Sequence, residues 1–322
     1  MKRILLVDAD SVLPNIPLMK ISSWHKNRGD KVTLVRVHLP YYPDRKKHHF
    51  TAPIGYDKTY CSVVFEGNRQ FIHGTDIIFG GTGVDLTTVL PPRIEALPPD
   101  YSIYPENDTS YGFLTRGCIR KCSFCKVPQK EGYIHQVATV DDIVQHRKVK
   151  FFDNNILAYK DHKSILQELI SKRIRCQFNQ GLDIRLIDEE NSLLLSNLRY
   201  LKEYIFAFDS WKYRKLIERK MKLLTWRKEW GFKFFIYVHP QMLLHSIIQR
   251  ILWCKQNYCL PYIMRDIKCW DSPRKDFFTD IASYCNQVHV FKSMNFSTFL
   301  KKRTANKKRI LTSRELWRVG EQ

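Results

Sequence analysis

The chain has 322 residues, 44% hydrophobic and 13% aromatic, a globular rather than disordered composition with length for about two domains. No run approaches the ~18 consecutive apolar residues of a membrane span, so no membrane partner is expected. With 53 Lys and Arg against 32 Asp and Glu, the formal charge of +21 favours a polyanionic partner, nucleic acid first, over the blander reading of a solvated basic surface.

From the N-terminus, MKRILLVDAD carries a short apolar run that reads on into acidic residues with no small-residue cleavage site. It predicts a strand over 3–10, not a signal peptide. Residues 16–29 are helix-like and 31–37 form a second strand; after a loop rich in Pro, Tyr and His, 76–83 is a strand running into a glycine turn. Strands ending in polar or glycine turns predict a doubly wound, Rossmann-like domain over 1–104, with a crevice at the strands' carboxyl ends. The five prolines in 91–105 predict a linker. From 105 to 270 six apolar strand candidates follow, at 111–117, 149–155, 174–181, 204–209, 233–240 and 258–264. Helical patterns separate them, among them 161–173 and the long basic 212–231. Such alternation predicts parallel β/α units, and six of them a partial (β/α)6 barrel. The remainder, 271–322, reads as a basic C-terminal extension with a helix near 273–285 and a strongly basic run at 301–318 that reads as a tail or surface helix. The expected fold class is therefore α/β: a Rossmann-like domain, a partial barrel and a basic extension.

In barrels of this kind chemistry sits at the carboxyl ends of the strands. Here those ends carry Asp153-Asn154-Asn155, Asn179-Gln180, Asp209, His239 and Arg265-Asp266. The Asp and Asn residues also suit plain N-caps, and Asp183 with Arg185 suits a surface ion pair. Beside the first barrel strand, GFLTRGCIRKCSFCKVPQKEG places Cys118, Cys122 and Cys125 in a C-x3-C-x2-C spacing. An odd total of nine cysteines, three of them clustered, argues against a secreted disulfide framework and for a reducing cytoplasm. Thiolates select iron–sulfur clusters, zinc or Cu(I). A structural zinc site needs a fourth ligand, and His135, the nearest histidine, has an unorthodox spacing. Three thiolates on a cubane cluster instead leave one iron open, as catalytic metal sites do.

That spacing after the first strand of a six-unit parallel barrel, with Phe124 just before the third cysteine, resembles the radical S-adenosylmethionine (SAM) superfamily. TRGCIRKCSFCKVPQKEG, with FFDNN and FNQGLDIRL downstream, is similar to a branch carrying an N-terminal domain of the cobalamin-binding type, largely uncharacterised bacterial and phage proteins. The resemblance implies that Cys118, Cys122 and Cys125 ligate a [4Fe–4S] cluster. SAM would chelate the fourth iron and be cleaved, on one-electron reduction, to a 5′-deoxyadenosyl radical that activates a C–H bond. A reductase such as flavodoxin or ferredoxin would supply the electron. Phe124 would lie against the adenine. The family's Gly-Gly-Glu-like turn falls on Asp153, Asn154 and Asn155, from which this chain departs, and Asn179, Gln180, Asp183 and Arg185 are candidates for ribose and carboxylate contacts. Asp209 and Arg265, closing the fourth and sixth strands, are the candidate catalytic residues.

Cobalamin itself is disfavoured, because the D-x-H-x-x-G signature is missing and the 80–83 glycine turn is weak evidence. The methylthiotransferase branch is disfavoured too, since it needs three further N-terminal cysteines and only Cys61 is present. Cys254, Cys259, Cys269 and Cys285 read as buried small hydrophobes rather than an auxiliary cluster. Phosphate contact is expected from 212–228 and 301–318, with Trp226, Trp230 and Trp317 available for stacking or, on the plainer reading, in the core. The function expected is thus a radical SAM enzyme modifying a nucleic acid or nucleotide. The alternatives are the same chemistry on a peptide or small molecule, or a non-catalytic basic module with a structural metal.

Overall fold

The computed structural model describes residues 1–39, 48–303 and 306–321. The chain is mixed α/β with several parallel sheets and divides into two compact units. The first comprises Met1–Gly112, Arg120–Gly132 and Asp141–Lys148, and the second Phe113–Ile119, Tyr133–Val140 and Val149–Gln322.

In the first unit, strands β1 (Arg3–Asp8), β2 (Lys31–Arg36), β3 (Lys58–Ser62) and β4 (Ile77–Gly80) form a parallel sheet in the order β2-β1-β3-β4. β1 is central because Ile4, Leu5, Leu6 and Val7 are apolar without interruption and lose all solvent contact, as a strand covered on both faces must. One face packs Leu5, Val7, Cys61, Val63 and Phe71 together. The other meets helix α1 (Ile16–Lys26) through Ile4, Leu6, Leu18 and Ile21, and α1 starts where the Asn15 side chain accepts the Leu18 N–H. Residues 91–105 are not the linker their prolines suggest. Ile94 joins the α1 face of the core, and Tyr101 and Tyr104 are buried, so apolar side chains anchor a segment whose backbone proline merely stiffens.

In the second unit a two-residue antiparallel pair, β5 (Thr115–Arg116) with β6 (His135–Gln136), brackets the cysteine-bearing segment. Next come β7 (Lys148–Phe151), β8 (Arg175–Phe178) and β9 (Arg199–Tyr200), in the order β9-β8-β7. Strands β10 (Tyr204–Ala207), β11 (Phe232–Val238) and β12 (Leu260–Arg265) form a second, parallel sheet. A parallel bridge between Leu182 and Phe206, with Leu182 N–H donating to Ile205 O at 2.8 Å, links the end of β8 to β10. Helices α2 (His162–Ser171), α3 (Glu189–Asn197), α4 (Arg214–Met221) and α5 (Leu244–Gln256) alternate with these strands. α4 is shorter than the basic pattern predicts. Past Met221 the chain turns back, because Trp226 Nε1 reaches Ser192 Oγ at 3.0 Å and Trp230 N–H reaches Tyr258 O at 2.7 Å.

The 271–322 segment folds into α6 (Lys275–Cys285), α7 (Val288–Ser293), α8 (Phe296–Lys301) and α9 (Lys307–Glu321), all within the second unit. α9 is no free tail. Its Trp317 is buried with its ring 4.4 Å from Phe296, and Gly320 comes so near α5 that a Cβ there would meet Ile248 Cδ1 at 2.2 Å. Among the described residues no helix is long and apolar enough to cross a membrane.

Candidate active site

The site begins with how β5 is held. Asp153, at the end of β7, is fully buried, and its carboxylate accepts three hydrogen bonds: Leu114 N–H at 3.1 Å, Thr115 N–H at 2.6 Å and Thr115 Oγ1–H at 2.7 Å. Burial nonetheless pushes its carboxyl up to about 6. All of these bonds run to the residues just before Cys118. Asp153 thus fixes the start of the cysteine segment, and its oxygens are committed there rather than turned toward a ligand.

Of the motif cysteines, Cys118 lies in the second unit, while Cys122 and Cys125 lie in the first, where Cys125 N–H donates to Cys122 O at 3.0 Å. None of the nine cysteines is in a disulfide, and they divide sharply by environment. Cys118, Cys122 and Cys125 are part-exposed and the other six are buried. Burial pushes the thiols of Cys61, Cys176, Cys259 and Cys269 up to about 12, and those of Cys254 and Cys285 well above their ordinary value. Those six are buried packing groups. Phe124 is exposed, unlike the phenylalanines of the core. His135, in β6, is exposed and bonds through Nδ1 to Tyr133 O at 2.9 Å.

Asn155 is the residue that gathers the second unit's polar groups. It is 3% exposed, and its Nδ2 stands 3.5 Å from Cys118 Sγ and 3.5 Å from Asp183 Oδ2. Its Oδ1 is buried without a hydrogen-bond partner. Asp183, also buried, accepts a fork from Arg185, Nε at 2.6 Å and Nη2 at 3.0 Å, and caps its own turn through Arg185 N–H. The Arg185 guanidinium lies 5.3 Å from the centre of the Tyr213 ring. The pair is buried on its acidic side, not the surface ion pair its spacing also allowed. Asn154 and Asn179 are half-buried and Gln180 is exposed, with Asn179 N–H held by Phe151 O at 2.8 Å.

Asp209 follows β10. Burial, with Asp183 as a secondary cause, raises its carboxyl, while the Tyr237 N–H at 3.4 Å and the charges of Arg250 and Arg185 oppose the rise. Arg250 was not singled out from the sequence, yet it is fully buried on α5 and donates to Phe208 O at 2.8 Å, Tyr237 O at 3.2 Å and Ser246 O at 2.8 Å. Burial lowers its guanidinium to about 10. The detectable signal was a cation on the apolar stripe Ile247, Ile251, Cys254. Arg265, by contrast, turns to α6: Nη1 meets Thr279 Oγ1 at 3.1 Å and the guanidinium covers the Trp270 ring at 3.9 Å. Its neighbour Asp266 takes the Tyr237 hydroxyl at 2.6 Å. The structure therefore groups Cys118, Asn155, Asp183, Arg185 and Asp209, while the Arg265 contacts just described run to Thr279 and Trp270.

At the carboxyl ends of the first unit's strands, described polar side chains bond one another and nearby backbone. Tyr104 Oη–H donates to Asp8 at 2.9 Å, Asn15 Nδ2 to Ser62 Oγ at 2.9 Å, and Asp10 takes Val64 N–H, Phe65 N–H and Asn68 Nδ2 at 2.8, 3.0 and 2.9 Å. The glycine turn lies against the same backbone. A Cβ on Gly81, whose φ is +100°, would stand 2.3 Å from Val63 O, and Gly83 N–H bonds that oxygen at 2.9 Å. The turn closes a loop.

The sites expected to take phosphate are partly engaged. Arg303 and Arg309 pair with buried Asp280 at 3.3 and 2.7 Å, Trp317 is in the core, and Trp226 and Trp230 are half-buried against Tyr204 and Tyr258. Stacking by Trp317 is thereby corrected: its indole is needed to hold α9.

Among the described residues, no group of three or more His, Cys, Asp or Glu side chains is gathered as a metal-ion site. The donor chemistry of the motif still fits a thiolate-held cluster, with three unbridged, part-exposed sulfurs within eight residues of chain. Compared with models of known protein families and with curated proteins, the chain matches none.

Proposed function

We propose that this protein is a radical SAM enzyme in which Cys118, Cys122 and Cys125 hold a [4Fe–4S] cluster. The observation that carries the reading is the division of the cysteines. The three at C-x3-C-x2-C spacing are unbridged by disulfides and part-exposed, whereas the six others are buried. When bound, the cluster supplies one-electron cleavage of SAM to a 5′-deoxyadenosyl radical. The chain's own part is to fix β5 through Asp153, to orient Cys118 through Asn155, and to present Asp183, Arg185 and Asp209 beside it.

The finer architecture belongs to the same proposal. The order β2-β1-β3-β4 supports a Rossmann-like first domain, and the β/α alternation linked at Leu182–Phe206 supports a partial barrel. Nucleic acid or a nucleotide is the substrate class favoured by the +21 charge, ahead of a peptide or small molecule.

Anaerobic reconstitution with iron and sulfide tests the reading. A brown protein absorbing near ~400 nm that releases 5′-deoxyadenosine from SAM under reductant is expected. Cys122→Ala should keep the fold and abolish that release. A colourless zinc protein, or loss of fold in Cys122→Ala, would point to a structural metal instead.

A further inference from the structure

We infer that Asn155 is a positioning residue for the cluster: its amide donates to the Cys118 sulfur, raises the cluster's reduction potential, and ties that ligand to the Asp183–Arg185 pair. The inference rests on the radical SAM reading above.

Three observations carry it. First, one Nδ2 stands 3.5 Å from both Cys118 Sγ and Asp183 Oδ2, and a primary amide has two N–H groups, one for each acceptor. Second, the orientation of the amide is imposed. Asp183 is clamped by the Arg185 fork, so turning the amide over would set its oxygen against a fixed carboxylate. Third, Asn155 Oδ1 is buried without a partner. A buried carbonyl without a protein partner is destabilising, which an apolar side chain of the same shape would avoid. A residue retained only for packing would not carry that cost; one retained for what its N–H groups do would.

The consequence follows from charge. Reduction adds negative charge to the cluster and its sulfur ligands, and an N–H donor stabilises that state, so it raises the potential. Removing the donor lowers it. Replacing the donor with a carboxylate, beside both the sulfur and Asp183, lowers it further.

The test compares full-length wild type, Asn155→Leu and Asn155→Asp after anaerobic reconstitution. Circular dichroism and iron per chain are measured on each, followed by an EPR-monitored redox titration. Asn155→Leu should keep wild-type secondary structure and iron content while its midpoint potential falls, and Asn155→Asp should fall below it. Because Asn155→Asp sets two acids together and is the variant at risk of misfolding, a second measurement uses wild type grown with 15N-labelled asparagine. Pulsed EPR of the reduced cluster should then show a nitrogen coupling that Asn155→Leu lacks. An Asn155→Leu potential and spectrum equal to wild type, or no asparagine coupling, overturns the inference while the cluster stands. Wild type that takes up no iron overturns the radical SAM reading itself, and the inference with it.

Discussion

Asp153 has lost all contact with water, yet three donors from Leu114 and Thr115 converge on its carboxylate. Burial outweighs those bonds, and its carboxyl rises from 3.8 to about 6 in the folded chain. The native state therefore holds a proton that the unfolded chain releases between those values. The stabilisation from this group is fully present below about 4, is lost as pH rises through about 6, and is constant above; at 1.36 kcal/mol per pKa unit it amounts to roughly 3 kcal/mol. Asp153→Asn, which does not titrate, points an NH2 at one of the N–H donors and should cost about 1–3 kcal/mol. Urea melts of both proteins from pH 4.5 to 7.5 should show the wild-type advantage shrinking toward pH 6 and then levelling; an advantage that grows with pH would refute the assignment. At this scale the sequence spoke only through residue type. Asp153 was legible as an important acid at a strand end, but its partners come from a segment 38 residues earlier, which no local pattern reveals. Arg250 was hidden differently, as a cation inside an apolar stripe that is usually read as an interruption of the helix's buried face.

Strands were the most legible elements, because β7, β8, β10, β11 and β12 are runs whose apolar content marks burial. β11 shows why: Phe232, Phe234, Ile236 and Val238 are buried and the residues between them half-buried, a period of two. β3 is not legible in the sequence, since Lys58–Ser62 opens on Lys and Thr and offers too short an apolar run to stand out. The run that holds α9 reads as a tail or surface helix because its buried face is Ser313, Trp317 and Gly320, a small-residue stripe with little hydrophobic signal under a load of Lys and Arg. Its attachment is electrostatic as well as apolar. Asp280 on α6, 1% exposed, accepts Arg309 Nη2 at 2.7 Å and Ser313 Oγ–H at 2.7 Å, and Arg303 Nη1 lies at 3.3 Å. Both arginines keep about a quarter of their side-chain exposure, so some of the field is screened. Asp280→Ala should still cost about 3 kcal/mol, the lower end for breaking a buried pair. Hydrogen exchange should report it as lost protection across 307–321 before the rest of the second unit; uniform loss would mean α9 is held mainly by Trp317.

Charge is a property of the whole chain, and its meaning depends on which cations are already engaged. Of the basic residues expected to meet phosphate, Arg303 and Arg309 neutralise Asp280 and contribute little to an outside partner. On α4, Lys215 and Arg219 are exposed one helical turn apart, the arrangement that a phosphate backbone can use. If the substrate is a nucleic acid, the logarithm of tRNA affinity should fall linearly with the logarithm of salt concentration, with about 0.7–0.9 of slope for each phosphate neutralised. Lys215→Gln with Arg219→Gln should weaken binding and reduce that slope by up to about 2, with the circular dichroism unchanged. The same variant should leave 5′-deoxyadenosine release without substrate at the wild-type rate, because α4 lies outside the group around Cys118. A slope near zero in wild type would remove nucleic acid as the partner, and the radical chemistry would then belong to a peptide or small molecule. A steep slope that ignores α4 would keep the nucleic acid and move its footprint to other basic residues, with the cysteine segment's Arg120, Lys121, Lys126 and Lys130 the next to neutralise.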